Sequence, residues 1–213
     1  MDNIIKNFQN IKSSINNSNI NIIAVSKSFL FDKVKPLVDF GHIHFGENKV
    51  QEAKKKWLKI LNTNPNLKLH MIGKLQTNKA KDAVELFDYI HSLDSKKLAM
   101  ALSKYENELK KKNKYFIQVN IGNELQKSGI KTEELSELYN FCNEISLNVI
   151  GLMCIPPNDN NSKKYFIELF ELNKSLKLNE VSMGMSSDFL EAIQCGSTFV
   201  RIGNAIFGDR KTK

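Results

Sequence analysis

Lys27 ends the run Ile22-Ile23-Ala24-Val25-Ser26. A lysine at the mouth of an apolar strand sits where burial can lower its amine pKa, and the neutral amine is the form that attacks an aldehyde to give a Schiff base. A solvated lysine at a strand end is the plain alternative. A second block, VSMGMSSDFLEAIQCGSTFVRIGNAIFG from Val181 to Gly208, suits a different group. Two strand-like runs there end in small or polar residues, at Gly184-Met185-Ser186 and at Gly203-Asn204. A short amphipathic helix starts between them, near Ser187-Asp188. Backbone N–H groups just ahead of a helix favour an anion such as phosphate.

These residues need elements to carry them, and the chain alternates short apolar runs with longer amphipathic ones. The patterns predict strands over Ile22–Lys27, His42–Glu47, Leu69–Lys74, Tyr89–Asp94, Tyr115–Ile121, Val149–Ile155, Val181–Met185 and Phe199–Ile202. Helical spacing covers Lys49–Leu61, Ser95–Lys112, Glu133–Ile145 and Lys163–Leu176. Ile4, Ile5, Phe8, Ile11 and Ile15 predict an N-terminal helix over about 3–17, in place of a signal peptide. Alternating β and α elements imply a parallel sheet with right-handed crossovers. Eight strands and eight helices point to an α/β fold of the (β/α)8 TIM-barrel type, formed by one domain over residues 1–213. An open doubly wound sheet is the competing fold. No GxGxxG follows the first strand to support it as a dinucleotide site.

Composition narrows the classes further. The 213 residues are 41% apolar and 25% charged, as in an ordinary soluble protein, and no apolar run reaches the length of a membrane span. A soluble, cytoplasmic protein is expected. Cys142, Cys154 and Cys195 are scattered without a CxxC pair, which argues against a structural metal or a disulfide framework. The net charge of +8 comes from dispersed lysines such as Lys54-Lys55-Lys56, without an aromatic-interleaved basic stripe. Solvated helix faces account for it better than nucleic acid does.

In a β/α barrel the site is built where the strands end. An aldehyde-reactive lysine, with a phosphate cradle on the opposite side of the mouth, describes pyridoxal 5′-phosphate. Arg201 bears on what that group could do. A guanidinium is donor-only, so an arginine facing the pyridine nitrogen leaves that nitrogen unprotonated and the ring a weaker electron sink. A salt bridge to Asp209 is the plain alternative. His42 and His44 alternate and would share one face of a strand without a third metal ligand. His70 reads as buried and hydrogen-bonded, and Glu124 with Lys127 as a surface pair.

The segments IIAVSK (Ile22–Lys27), HFGENKVQEAKKKW (His44–Trp57), LHMIGKLQTNK (Leu69–Lys79), QVNIGNELQKSGI (Gln118–Ile130), GLM (Gly151–Met153) and the closing block resemble the pyridoxal phosphate homeostasis proteins. These are the YggS/PROSC-type relatives of the alanine racemase N-terminal domain, and the match runs nearly the whole length in order. The resemblance implies a fold-type III barrel in which Lys27 carries pyridoxal 5′-phosphate as an aldimine and Arg201 faces the pyridine nitrogen. It implies phosphate contacts from Ser186, Gly203 and Asn204, the Met185 backbone close by, and Asn48 beside the cofactor. Asn204 stands where relatives often carry Thr or Ser. Lys49 replaces the frequent tyrosine of the GENYVQE pattern, at the rim of the site.

Racemases of this fold take a second base, a tyrosine, from an additional β-domain. The chain ends at Lys213, so that domain and a two-base racemase are not expected. The resemblance therefore implies a carrier in vitamin B6 and amino-acid homeostasis, with no catalytic residues and with apo pyridoxal-phosphate enzymes as recipients, and a closed barrel lacking the extra β-domain makes a monomer the simplest expectation. A weak racemase using Lys27 as sole base is the alternative.

Overall fold

The computed structural model describes residues 3–15, 19–124 and 126–209. Eight parallel strands close into a barrel in chain order. They are β1 (Asn21–Val25), β2 (His44–Glu47), β3 (Lys68–Met71), β4 (Tyr89–Leu93), β5 (Lys114–Gln118), β6 (Val149–Met153), β7 (Glu180–Ser182) and β8 (Phe199–Ile202). β8 pairs with β1, placing Arg201 opposite Ile23 and Ile202 opposite Ala24, and this seam excludes the open sheet.

The helices are α1 (Asn3–Ser14), α2 (Phe31–Asp39), α3 (Val50–Thr63), α4 (Ala80–Leu86), α5 (Lys96–Leu109), α6 (Leu135–Glu144), α7 (Ser162–Ser175), α8 (Phe189–Gln194) and α9 (Asn204–Phe207). Among the described residues there are nine, one more than the sequence pattern predicts. The additional one, α9, is a single turn directly after β8, too short to leave a periodic signature. α1 ends at Ser14, short of the expected position 17, and residues 16–18 lie outside the described residues. A 3₁₀ turn at Thr132–Glu134 takes up the start of the helix expected from Glu133.

Two apolar layers explain why the strands read as nearly continuous hydrophobic runs. Successive side chains point to opposite faces. Ile22 and Ala24 therefore join the outer layer beneath the helices, with Phe45, Trp57 and Phe166, while Ile23 and Val25 pack inside the barrel with Tyr89, Phe116, Met153 and Phe199. The parity on β8 puts Phe199 and Arg201 inside and Val200 and Ile202 outside. Gly184 ends the β7 segment with φ of +91°, and a Cβ there would lie 2.5 Å from Ala192 Cβ. Only glycine lets the chain turn this tightly from β7 into α8.

The sequence puts His42 and His44 on one face of one strand, and the structure separates them. β2 begins at His44, so His42 lies in the preceding turn. Its ring packs on Phe8 and Phe45 outside the barrel, with ring centroids 4.6 and 5.2 Å away. His44 points inward to His70, Tyr89 and Phe199. Among the described residues, no group of three or more His, Cys, Asp or Glu is arranged to hold a metal ion. Among the described residues no helix is long and apolar enough to cross a membrane.

Candidate cofactor cleft at the strand ends

A cleft of about 390 Å³ opens at the C-terminal ends of the strands. Val25, Ile72 and Ile155 form its apolar wall, and Lys27, Ser186, Ser187, Arg201, Gly203 and Asn204 its polar one, with Met185 beside them. Five polar residues singled out from the sequence thus meet in one space. The phosphate cradle does not lie opposite Lys27, as the sequence reading places it. Closure of the barrel makes β1 and β8 neighbours, so Lys27 and the Arg201–Asn204 segment share one side of the mouth. A hollow of about 440 Å³ between residues 28–31 and α3 lies outside the barrel mouth, and its Lys56 is already paired with Glu47.

Lys27 is held from behind. Ser26 is buried, and its hydroxyl donates to Glu47 Oε1 at 2.6 Å. The same oxygen accepts from Lys56 Nζ at 2.8 Å and from Trp57 Nε1 at 2.9 Å. Lys56 also donates to the Ser26 carbonyl at 2.7 Å. After Lys27 the chain turns through Ser28, whose φ of +68° is left-handed. The lysine therefore projects half-buried from a backbone fixed on the strand side.

Arg201 is buried inside the barrel, 4% exposed, yet still reaches the cleft. Nη1 donates to the Ser182 carbonyl at 2.9 Å and to Ser182 Oγ at 2.8 Å, and Nη2 donates to the Cys154 carbonyl at 2.8 Å. No carboxylate among the described residues pairs with it, so the expected alternative of a bridge to Asp209 is absent. Burial pulls its pKa down from the ordinary value.

Ser186 Oγ lies 3.4 Å from the amide nitrogens of both Gly203 and Ala205, so two backbone donors converge on one oxygen at the start of α9. Asn204 is exposed as the first residue of that turn. Met185 lines the cleft, but its N–H already donates to Asp188 Oδ1 at 2.6 Å, so that amide is committed. Asn48 is not in the cleft wall. Its backbone abuts Gly73, where a Cβ would fall 2.4 Å from the Asn48 carbonyl, and its Oδ1 is buried without a hydrogen-bond partner.

Other sequence candidates have ordinary places. Glu124 and Lys127 form an ion pair, and Lys127 also donates to the Pro156 carbonyl, tying two loops together. Lys49 pairs with Glu52 at the surface. Cys142 and Cys154 are buried thiols pushed up to about 12 by desolvation, and Cys195 is half-buried. Two features are not foreseen from the sequence: the Glu47–Lys56–Trp57 cluster and the linking of half-buried His44 with buried His70 and His91 into a file behind Arg201. Inward parity on β2, β3 and β4 was the available signal for the histidines.

The family profile described as alanine racemase, N-terminal domain, matches residues 1–211. Pyridoxal phosphate homeostasis proteins of Pasteurella multocida and Haemophilus influenzae are each 39% identical, over 91% and 92% of this chain and 88% and 87% of the relative. The solved structure of PipY from Synechococcus elongatus PCC7942 with PLP bound is 33% identical. It superposes with a TM-score of 0.88 over 96% of this chain and all of that one. An alanine racemase of Clostridium difficile 630 is 16% identical and covers this whole chain with 58% of its own (TM-score 0.76), a likeness of fold alone. The chain belongs to the alanine racemase N-terminal domain family, alongside the pyridoxal phosphate homeostasis proteins.

Proposed function

We propose that this protein binds pyridoxal 5′-phosphate in the cleft and serves cofactor homeostasis as a carrier in the cytoplasm, handing it to apo pyridoxal-phosphate enzymes. The observation that carries the reading is the meeting of one lysine amine, one buried guanidinium and one pair of converging backbone amides in a single cleft. An aldehyde, a pyridine nitrogen and a phosphate need that donor set.

The residues present fit the group. Lys27 supplies the amine for the aldehyde carbon. Arg201 meets the ring nitrogen as a donor-only cation and so keeps it unprotonated. Ser186 Oγ sits where two amides point, and a phosphate oxygen in its place would gain charge-assisted hydrogen bonds from Gly203 and the adjoining turn. Asn204 contributes from the rim, and Met185 packs without giving its amide. Asn48, whose backbone abuts Gly73 and whose Oδ1 is buried without a partner, supports the wall nearest Ile72. When bound, the cofactor supplies an electron sink for amino-acid chemistry, and a cation at the ring nitrogen weakens that sink.

The cleft lining also bears on catalysis. Among the described residues its lining offers one amine and one guanidinium but no carboxylate, imidazole, phenol or thiol to act as a second base. That supports a carrier over a two-base racemase, and leaves Lys27 as sole base for the alternative, weak racemization. Gel filtration after mixing with pyridoxal 5′-phosphate, followed by α-proton exchange of single L-amino acids in deuterated water, tests both. Retained cofactor with exchange no faster than free cofactor is expected. Loss of cofactor on the column overturns binding, and turnover well above free cofactor overturns the carrier.

A further inference from the structure

Three of the four histidines in the chain form a single file through the barrel interior. His44 Nδ1 lies 2.9 Å from His70 Nε2, His70 Nδ1 lies 2.9 Å from His91 Nε2, and His91 Nδ1 lies 3.0 Å from Ser182 Oγ. Ser182 Oγ in turn accepts from Arg201 Nη1. His70 and His91 are fully buried, His70 stacked on Tyr89 and His91 on Phe116. His44 ends the file at the opposite mouth, where Asp88, Lys68 and Lys114 are its charged neighbours.

The direction of every bond follows from one end. Arg201 can only donate, so the Ser182 hydroxyl accepts from it and has its own hydrogen to give. The acceptor in reach is His91 Nδ1. That makes His91 the Nε2–H tautomer, donating to His70 Nδ1, and His70 then donates from Nε2 to His44 Nδ1. Each imidazole turns its acceptor nitrogen toward Arg201 and its N–H away, so the dipoles add and polarise one another. Burial, with the Arg201 charge next for His91 and the His91 charge next for His70, holds both rings well below the ordinary histidine value. Both are neutral near pH 7. A file that ends on an arginine cannot deliver a proton, so conduction is not its role.

Among the described residues no carboxylate bonds to the buried Arg201 cation, and Asp188 acts on it only through longer-range charge, a costly arrangement unless other groups supply counter-charge. We propose that Ser182, His91, His70 and His44 are positioning residues for Arg201. They form a one-way dipole array that stabilises its charge and fixes its guanidinium without cancelling it. A carboxylate at the same place would neutralise the field that Arg201 presents to the cleft, whereas neutral dipoles hold the cation and leave that field intact. The consequence for the ring nitrogen rests on the cofactor reading above, while the array itself does not.

The array is tested on the full chain without cofactor by long-range proton–nitrogen NMR of the imidazoles at neutral pH. The Nε2–H tautomer is expected at His44, His70 and His91, and an Nδ1–H tautomer or a cation at His91 or His70 overturns the proposal. The second arm compares His91→Phe, which keeps the stack on Phe116 but offers no acceptor, with His91→Asn, which restores an acceptor near the Nδ1 position. His91→Phe and Ser182→Ala are expected to shift the Arg201 guanidinium resonance and to weaken pyridoxal 5′-phosphate binding roughly tenfold, as for loss of a buried hydrogen-bond partner. His91→Asn is expected to recover both. If all three variants keep the parental guanidinium resonance, the array does not position Arg201. If the parent fails to bind the cofactor while the tautomers are as stated, the cofactor reading falls and the array stands.

Discussion

Two buried charges, Glu47 behind Lys27 and Arg201 in the cleft wall, are treated by the fold in opposite ways. Glu47, fully buried behind Lys27, accepts three hydrogen bonds on one oxygen and is paired with Lys56. Arg201, on the neighbouring strand side, has carbonyls, a hydroxyl and a file of imidazoles but no bonded carboxylate among the described residues. The first charge is cancelled where it stands and serves to fix the Ser26–Lys27 backbone. The second is stabilised without being cancelled, so its field remains available to a ligand. A local ion pair is a structural device, while a cation held by dipoles is suited to recognition.

The sharpest way to break this contrast is Glu47→Leu. Removing one member of a buried pair leaves Lys56, with a side chain 10% exposed, without its partner and strands the Ser26 and Trp57 donors. A loss of about 3–5 kcal/mol in denaturant unfolding is expected. A loss below about 1 kcal/mol would mean that Glu47 is not the anchor of this side.

Acid should act through all four histidines, three in the file behind Arg201 and His42 outside the barrel. Burial is the largest cause at each one, and it lowers His42 from 6.5 to about 4, with His44, His70 and His91 also lowered. The unfolded chain then takes up protons near pH 6.5 while the native barrel does not. Stability is therefore full above about pH 6.5 and falls as pH drops toward 4. Thermal unfolding across that window checks the sign, and stability that rises on acidification would contradict it.

Arg201→Met separates the two roles. The substitution removes a buried cation and fills much of its volume, so it should cost less than about 2 kcal/mol, well under Glu47→Leu. Cofactor binding by absorbance titration should nevertheless weaken by at least roughly tenfold. Equal stability losses for the two variants would erase the contrast. The smallest effect belongs to Ser186→Ala. Folding should change by about 1 kcal/mol or less, with retention of pyridoxal 5′-phosphate reduced and that of pyridoxal unchanged. A parallel loss for both ligands would place the phosphate elsewhere.

Much of this was legible in the chain. The eight apolar runs each became a strand, because burial on both faces of a closed sheet leaves a continuous hydrophobic signature. Gly184 and the polar ends at Lys27, Ser186 and Gly203 followed from local chemistry. What the sequence hid was set by closure and by side-chain direction. The β1–β8 seam joins the two ends of the chain and moves the phosphate cradle from opposite Lys27 to beside it. His42 and His44 part because the strand starts between them. Met185 gives its amide to Asp188 because α8 begins within reach, and Asn48 turns behind Gly73 outside the cleft wall. Inward parity places each histidine inside the barrel, but linking them into a file needs the register of β2, β3 and β4 at once, which local parity alone does not encode.

The central claim is that Lys27 is the amine that holds the cofactor. Borohydride reduction of the full chain mixed with pyridoxal 5′-phosphate, followed by peptide mass mapping, tests it most directly. A phosphopyridoxyl group on Lys27, absent in Lys27→Ala, is the expected result. A group on another lysine alone, or none at all, would contradict the account.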